Sequence, residues 1–185
     1  MPRKRARGRL FENRVVVWDI ESSRSLFKGG YYGKPLGIPK PKDFLFDAPL
    51  ILDLMEAYYL VTNKSVEVED GSGKELTPKQ LKESCEASYP DFAQKFLVYR
   101  TLREAGYVVT PGIKFGSDFA VYEHGPGIDH APYIVQVMGP EDMITATSMV
   151  RSGRLATTVR KQFIIAIPDM EKKSIEFLRC DWWRA

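Results

Sequence analysis

At 185 residues, with 44% hydrophobic content, the chain can bury the core of one large domain or two small ones. No apolar run approaches the roughly 20 residues that cross a bilayer, and the charged start precedes no apolar stretch. A membrane protein and a secretory leader are therefore not expected, and the chain reads as cytoplasmic. Net charge is +3, with Arg3, Lys4, Arg5, Arg7 and Arg9 crowded into the first ten residues. That cluster reads either as a flexible arm tracking phosphates or as a solvated tail. Cys85 and Cys180 lie far apart with no metal-ligand spacing, and read as two separate thiols. Scarce asparagine (Asn13 and Asn63 only) beside plentiful proline and lysine fits a heat-adapted protein.

In chain order, residues 14–19 (RVVVWD) are β-branched and aromatic, and predict a strand. Residues 28–42 (KGGYYGKPLGIPKPK) carry too much glycine and proline for extended regular structure. Apolar residues from Leu50 to Val61 recur at near-helical spacing and predict a helix. Residues 65–69 predict a short strand, followed by an acidic Gly-Ser-Gly turn. Thr77-Pro78 has the N-cap and first-turn residues of a helix start.

The second half opens with a predicted helix over 90–105, with Phe92, Phe96, Leu97, Tyr99 and Leu102 as its apolar stripe and Gly106 as its stop. Residues 107–110, 119–122 and 133–138 predict strands. A helix over 142–155, a buried strand over 162–167 (QFIIAI) and a last strand over 174–180 follow, ahead of Trp182-Trp183. The expected division is a small α+β domain over 1–87 and an α/β-type domain over 88–185. The latter should hold a central mixed β-sheet flanked by helices.

Three residue types with proton-transfer or anion-stabilising chemistry come close in sequence or sit at strand ends. The only histidines, His124 and His130, fall within nine residues of Tyr122, across the tight turn EHGPGID. Spacing alone favours His124, because positions 122 and 124 share a strand face. Lys161 opens the QFIIAI strand, where a lysine ordinarily just reaches to solvent.

The blocks FGSDFAVYEHG (115–125), HAPYIV (130–135) and VRKQFIIAI (159–167) resemble the catalytic domain of archaeal tRNA-splicing endonucleases. FLVYRTLREAGYVV (96–109) matches the entry into that domain, and YYGKP (31–35) and EAYYL (56–60) resemble the N-terminal domain. The resemblance therefore covers nearly the whole chain. It implies a restriction-endonuclease-like catalytic domain and carries the family's tyrosine, histidine and lysine onto Tyr122, His130 and Lys161. The alignment thus selects His130 over His124. Ala131 and Ala120 depart from the serine and arginine common in the family, at positions outside those three roles.

The implied chemistry is metal-independent cleavage of precursor tRNA at bulge-helix-bulge sites, using the RNA's own 2′-hydroxyl, with no cofactor. Tyr122 would be the general base, helped by the Lys161 cation, since a phenol ordinarily ionises only near pH ~10. Lys161 would also stabilise the phosphorane. His130 would protonate the departing 5′-oxygen, a task that suits imidazole chemistry. The ends would be a 2′,3′-cyclic phosphate and a 5′-hydroxyl. Arg154 and, more loosely, Arg179 match the arginines that grip a bulged base, while a surface salt bridge is the plain alternative for Arg179. Lys40 and Lys42, in what looks like an inserted loop over 34–50, are further RNA contacts or part of a solvated linker.

Two rival readings frame this one. Asp118 and Glu123 suggest a metal-dependent nuclease, but the next strand offers Val135-Gln136-Val137 in place of the acidic-x-lysine pattern, so no metal site is expected. The other rival is a non-catalytic, RNA-binding structural subunit. The loop over 168–173 (PDMEKK) is less acidic than the family's docking loop, which points to a heterotetramer with a paralogous structural subunit, a homotetramer being the alternative.

Overall fold

The computed structural model describes residues 5–39, 41, 43–128, 130–158 and 160–181. The chain forms two compact units, 1–92 and 93–185, each built on a five-stranded sheet. Lys40, Lys42, Arg3, Lys4, Trp182 and Trp183 lie outside the described residues.

In the first unit, strands β1 (Ala6–Phe11) and β2 (Arg14–Val17) form an antiparallel hairpin. Arg7 and Arg9 are thus part of a strand, which corrects the reading of this segment as an arm or tail. Ala6 and Gly8 face inward while the arginines face outward, and β1 is paired on both sides. Gly8 is required by packing, because a Cβ there would stand 2.5 Å from a Val15 methyl. Helix α1 (Ile20–Lys28) follows, N-capped by Asp19, whose carboxylate accepts the Ser22 N–H at 2.8 Å.

Among its described residues, the irregular stretch that follows contains only the two-residue strand β3 (Lys34–Pro35). The helix expected from Leu50 begins instead at Leu54: β4 (Leu50–Asp53) comes first, then α2 (Leu54–Thr62). Two local signals explain the difference. Leu50 and Leu52 alternate with Ile51 and Asp53, a period-2 pattern, and Asp53 with Glu56 makes a capping box that fixes the helix start. Strand β5 (Val66–Glu69) and helix α3 (Pro78–Ser88), capped by Thr77, complete the unit.

The sheet order is β3-β4-β2-β1-β5, with β5 parallel to β1 and the other pairs antiparallel. One face supplies the core through Val15, Val17, Leu50, Leu52, Val66 and Val68, packed with Leu54, Leu81 and Cys85 from the helices. Glu56, only 5% exposed, is held by accepting the backbone N–H groups of Gly33 and Asp53 at 3.0 and 2.9 Å. Gly33 has φ +69°, and a Cβ there would meet the Ile51 carbonyl at 2.6 Å. The YYGKP and EAYYL blocks therefore meet at one buried carboxylate.

Helix α4 (Phe92–Glu104) leads into the second unit and ends where Gly106, at φ +94°, reverses the chain. Strands β6 (Val108–Pro111), β7 (Phe119–Tyr122) and β8 (Tyr133–Val137) are antiparallel neighbours. Helix α5 (Ala146–Thr158) starts later than expected, after Thr145, whose hydroxyl accepts the Ser148 N–H at 3.1 Å. It crosses over to β9 (Gln162–Asp169), parallel to β8, and β10 (Ser174–Cys180) returns antiparallel at the edge. The order β10-β9-β8-β7-β6 is the mixed sheet flanked by helices that the sequence predicts. Among the described residues no helix is long and apolar enough to cross a membrane.

Candidate active site at one end of the second sheet

Strand direction decides what meets at this end of the sheet. Val121 pairs with Tyr133, and Tyr133 pairs with Gln162. One residue further out, β7 has Tyr122, the approach to β8 has Pro132, and the approach to β9 has Lys161. Neighbouring strands lie about 4.8 Å apart, so these positions span three adjacent strands and roughly 10 Å. Tyr122 and Lys161 share one side of the sheet, while His130 lies in the irregular approach to β8, two residues before Pro132. That side is the one covered by α5, where Ile134, Phe163 and Ile165 form a core cluster with Met149 and Phe115.

Lys161 is fixed from two directions. Its Nζ donates to the carbonyl of Ala131, the residue after His130, and stands 5.1 Å from the centre of the Phe115 ring. The lysine ammonium is therefore tied to the backbone carbonyl of the residue that follows His130, an arrangement the residue types alone gave no way to see. Arg160, with φ +54°, closes α5 with its N–H on the Thr157 carbonyl at 3.1 Å and turns the chain so that Lys161 enters the sheet. Tyr122 is half-buried and His130 exposed. A second phenol, Tyr133, is held as a donor to Glu123 at 3.0 Å, and that hydrogen bond raises its pKa.

His124 does not continue the strand: β7 ends at Tyr122, and the next residues bend away, leaving His124 exposed. The strand-face pairing of 122 with 124 expected from spacing is not formed. Arg154 is exposed on α5. Arg179, on β10, is engaged with Asp181 at 2.9 Å, both side chains exposed. Beside Lys161 opens a cavity of about 280 Å³, walled by Met149, Gly153 and Thr157 of α5 with Cys180 and Asp181.

Asp118 serves the fold. Its carboxylate accepts the Val137 N–H and the Gln136 side-chain amide, both at 2.8 Å, and pairs with Lys95 at 3.0 Å. Among the described residues no three His, Cys, Asp or Glu side chains gather as a metal site.

Comparison with known proteins agrees with this architecture. Residues 6–82 match the model of the tRNA intron endonuclease N-terminal domain, and residues 92–177 match that of the tRNA intron endonuclease catalytic C-terminal domain. The chain belongs to the tRNA intron endonuclease family. It is 47% identical over 169 residues to a tRNA-splicing endonuclease of Hyperthermus butylicus, covering 91% of this chain and 93% of that one. The tRNA-splicing endonuclease of Pyrobaculum arsenaticum is 41% identical over 181 residues (96% and 99% of the two chains). That of Sulfurisphaera tokodaii is 38% identical over 176 residues, covering 95% and 97%. The family's catalytic-domain match takes in β6 to β9 and the first half of β10, and with them Tyr122, His130 and Lys161.

Proposed function

We propose that this chain is an endoribonuclease that excises introns from precursor tRNA at bulge-helix-bulge sites, without a metal ion or other cofactor. The observation that supports the reading is that Tyr122 and Lys161 share one side of one sheet, with Lys161 bonded to the carbonyl of Ala131, next to His130. Tyr122 takes the proton of the substrate's 2′-hydroxyl, and that oxygen attacks the adjacent phosphorus. Lys161 favours the phenolate and stabilises the charge that builds on the phosphorane. His130 gives its proton to the departing 5′-oxygen. Every bond change is then internal to the RNA, and the ends are a 2′,3′-cyclic phosphate and a 5′-hydroxyl. Arg154, on the helix that covers this side, is assigned to the bulged base. Arg179 would join it by exchanging its exposed carboxylate partner for RNA, since such surface pairs contribute only about 0–1 kcal/mol. Lys40 and Lys42 are assigned to the RNA backbone.

The site works in an assembly with a paralogous structural subunit, as a heterotetramer. Supporting this, β10 is an edge strand whose Phe177 and Leu178 are 42% and 51% exposed, a combination that invites strand pairing. In the β9–β10 turn the Asp169 carboxylate is occupied by the Glu171 and Lys172 N–H groups, leaving little acidity for docking into a like subunit.

The test is cleavage of a bulge-helix-bulge RNA in EDTA, by the chain alone and with cell extract. Products whose 3′ ends resist phosphatase until acid opens a cyclic phosphate support the mechanism. Cleavage that appears only on adding magnesium overturns it, and a fully active homotetramer overturns the hetero-oligomer.

A further inference from the structure

The sheet of the first unit has a second face. Opposite the core side, β1 presents Arg7, Arg9 and Phe11, and β2 presents Arg14 and Val16, with Trp18 next in the alternation. Phe11 and Trp18 are 45% and 56% exposed, and their rings meet edge to face at 6.4 Å. Two large rings held together in water contribute little to the core, and such a patch marks a contact surface. The register places Arg9 opposite Val16 and Phe11 opposite Arg14, so guanidinium groups and rings alternate across the hairpin.

Neither β1 nor β2 has a carboxylate on this face; the acidic groups lie on the flanking strands. Glu67 is shared by Arg5 and Arg7 at 3.2 and 3.8 Å, Glu69 meets Arg9 at 3.9 Å, and Asp53 meets Arg14 at 3.3 Å. Glu75 lies at the outer margin, bridged to Glu69. The pairs of Arg7 and Arg9 are long and partly exposed, so a phosphate can take over those guanidinium groups at small cost; Arg14 is held more firmly, its partner Asp53 being only 12% exposed.

We infer that this face is a platform for single-stranded RNA, with bases stacked on Phe11 and Trp18 and phosphates held by Arg7, Arg9 and Arg14. Interleaved rings and guanidinium planes on an open sheet suit unpaired bases, and the arginines stand on the two central strands with their carboxylate partners on the flanking ones. The inference rests on the proposed function only in naming RNA of the substrate as the strand that binds. It also gives the basic start of the chain a defined role.

The probe is a 12-nucleotide oligouridylate, with affinity for the full chain read by anisotropy. Phe11→Ala and Trp18→Ala should each weaken binding about five- to hundredfold, the range of one lost stacking contact. Trp18→Phe should retain most of it, and Arg9→Glu should weaken binding and flatten its salt dependence. In a chain whose other tryptophans are replaced (Trp182→Phe, Trp183→Phe), the oligonucleotide should quench Trp18 emission. Unchanged affinity in both alanine variants, or no quenching, overturns the platform. So does a fall in oligomeric mass on Trp18→Ala with RNA affinity intact, which would make the face a protein interface. A chain that cuts bulged RNA but ignores oligouridylate refutes the platform alone. One that binds oligouridylate through these rings but cuts nothing even with cell extract refutes only the nuclease reading.

Discussion

The two sheets use similar residue types to opposite ends. In the first unit Asp53, Glu56 and Tyr89 are turned toward one another and the backbone: Asp53 caps α2 and accepts the Tyr89 hydroxyl, and Glu56 holds two N–H groups. Burial and the neighbouring Asp53 push the Tyr89 phenol far above its ordinary range. In the second unit Tyr122 ends β7, Lys161 precedes β9 with its ammonium on the Ala131 carbonyl, and His130 is exposed in the approach to β8. A buried polar network stabilises a fold, whereas the proposed function gives the second group a part in catalysis. Substitutions should separate the two cases, costing rate in one unit and stability in the other.

The largest effect is expected at His130. Replacement by alanine should lower single-turnover cleavage by about 10²–10⁴-fold, the usual worth of general acid–base catalysis, with the melting temperature unchanged because the side chain is exposed. Lys161→Met should lower the rate by about 10²–10³-fold, typical of a lost charge-stabilising group. It should also cost a little stability, through the hydrogen bond to Ala131. His124→Ala should change the rate less than threefold if the alignment, and not strand spacing, selects the histidine.

In the first unit, Glu56→Ala should destabilise by about 1–3 kcal/mol, because the half-buried N–H groups of Gly33 and Asp53 both lose their acceptor. Rate per folded molecule should hold.

Stability should also depend on pH. Burial pushes the Cys85 thiol up to about 12, and Tyr89 is raised as well. In the unfolded chain these groups lose their protons near pH ~8.5 and ~10. The folded state therefore binds more protons over that interval, and stability falls as pH rises from about 9 toward 12. The slope is up to about 1.4 kcal/mol per pH unit for each group. Melting curves at pH 8 and 10.5 would show this, and Cys85→Ala should remove its share.

Much of this division was legible in the sequence. The mixed sheet, its flanking helices and the Thr77 cap followed from periodicity and from capping chemistry. Strand β1 did not, since ARGRLF alternates arginine with glycine and alanine in place of large apolar residues, and its partner β5 is more than fifty residues away. Helix α1 was missed although Asp19 is an ordinary N-cap, because the apolar content of IESSRSLFK is low. The start of α2 was displaced because Leu50 and Leu52 fit helix and strand periods alike over so short a run, and only the Asp53–Glu56 box decides it. For the site, residue spacing pointed to His124 and family resemblance to His130. No local pattern could show that Lys161 reaches the Ala131 carbonyl, thirty residues back, because that contact is created by the parallel pairing of β8 with β9.

The central claim is that His130 protonates the leaving oxygen beside Tyr122 and Lys161. The most direct test replaces the scissile 5′-oxygen of a bulge-helix-bulge RNA by sulfur, whose thiolate departs without protonation, and compares single-turnover rates of the native chain, His130→Ala and Lys161→Met. The account predicts that sulfur restores His130→Ala to within a few-fold of the native rate while Lys161→Met stays slow. A His130→Ala defect equally large on both substrates would contradict it.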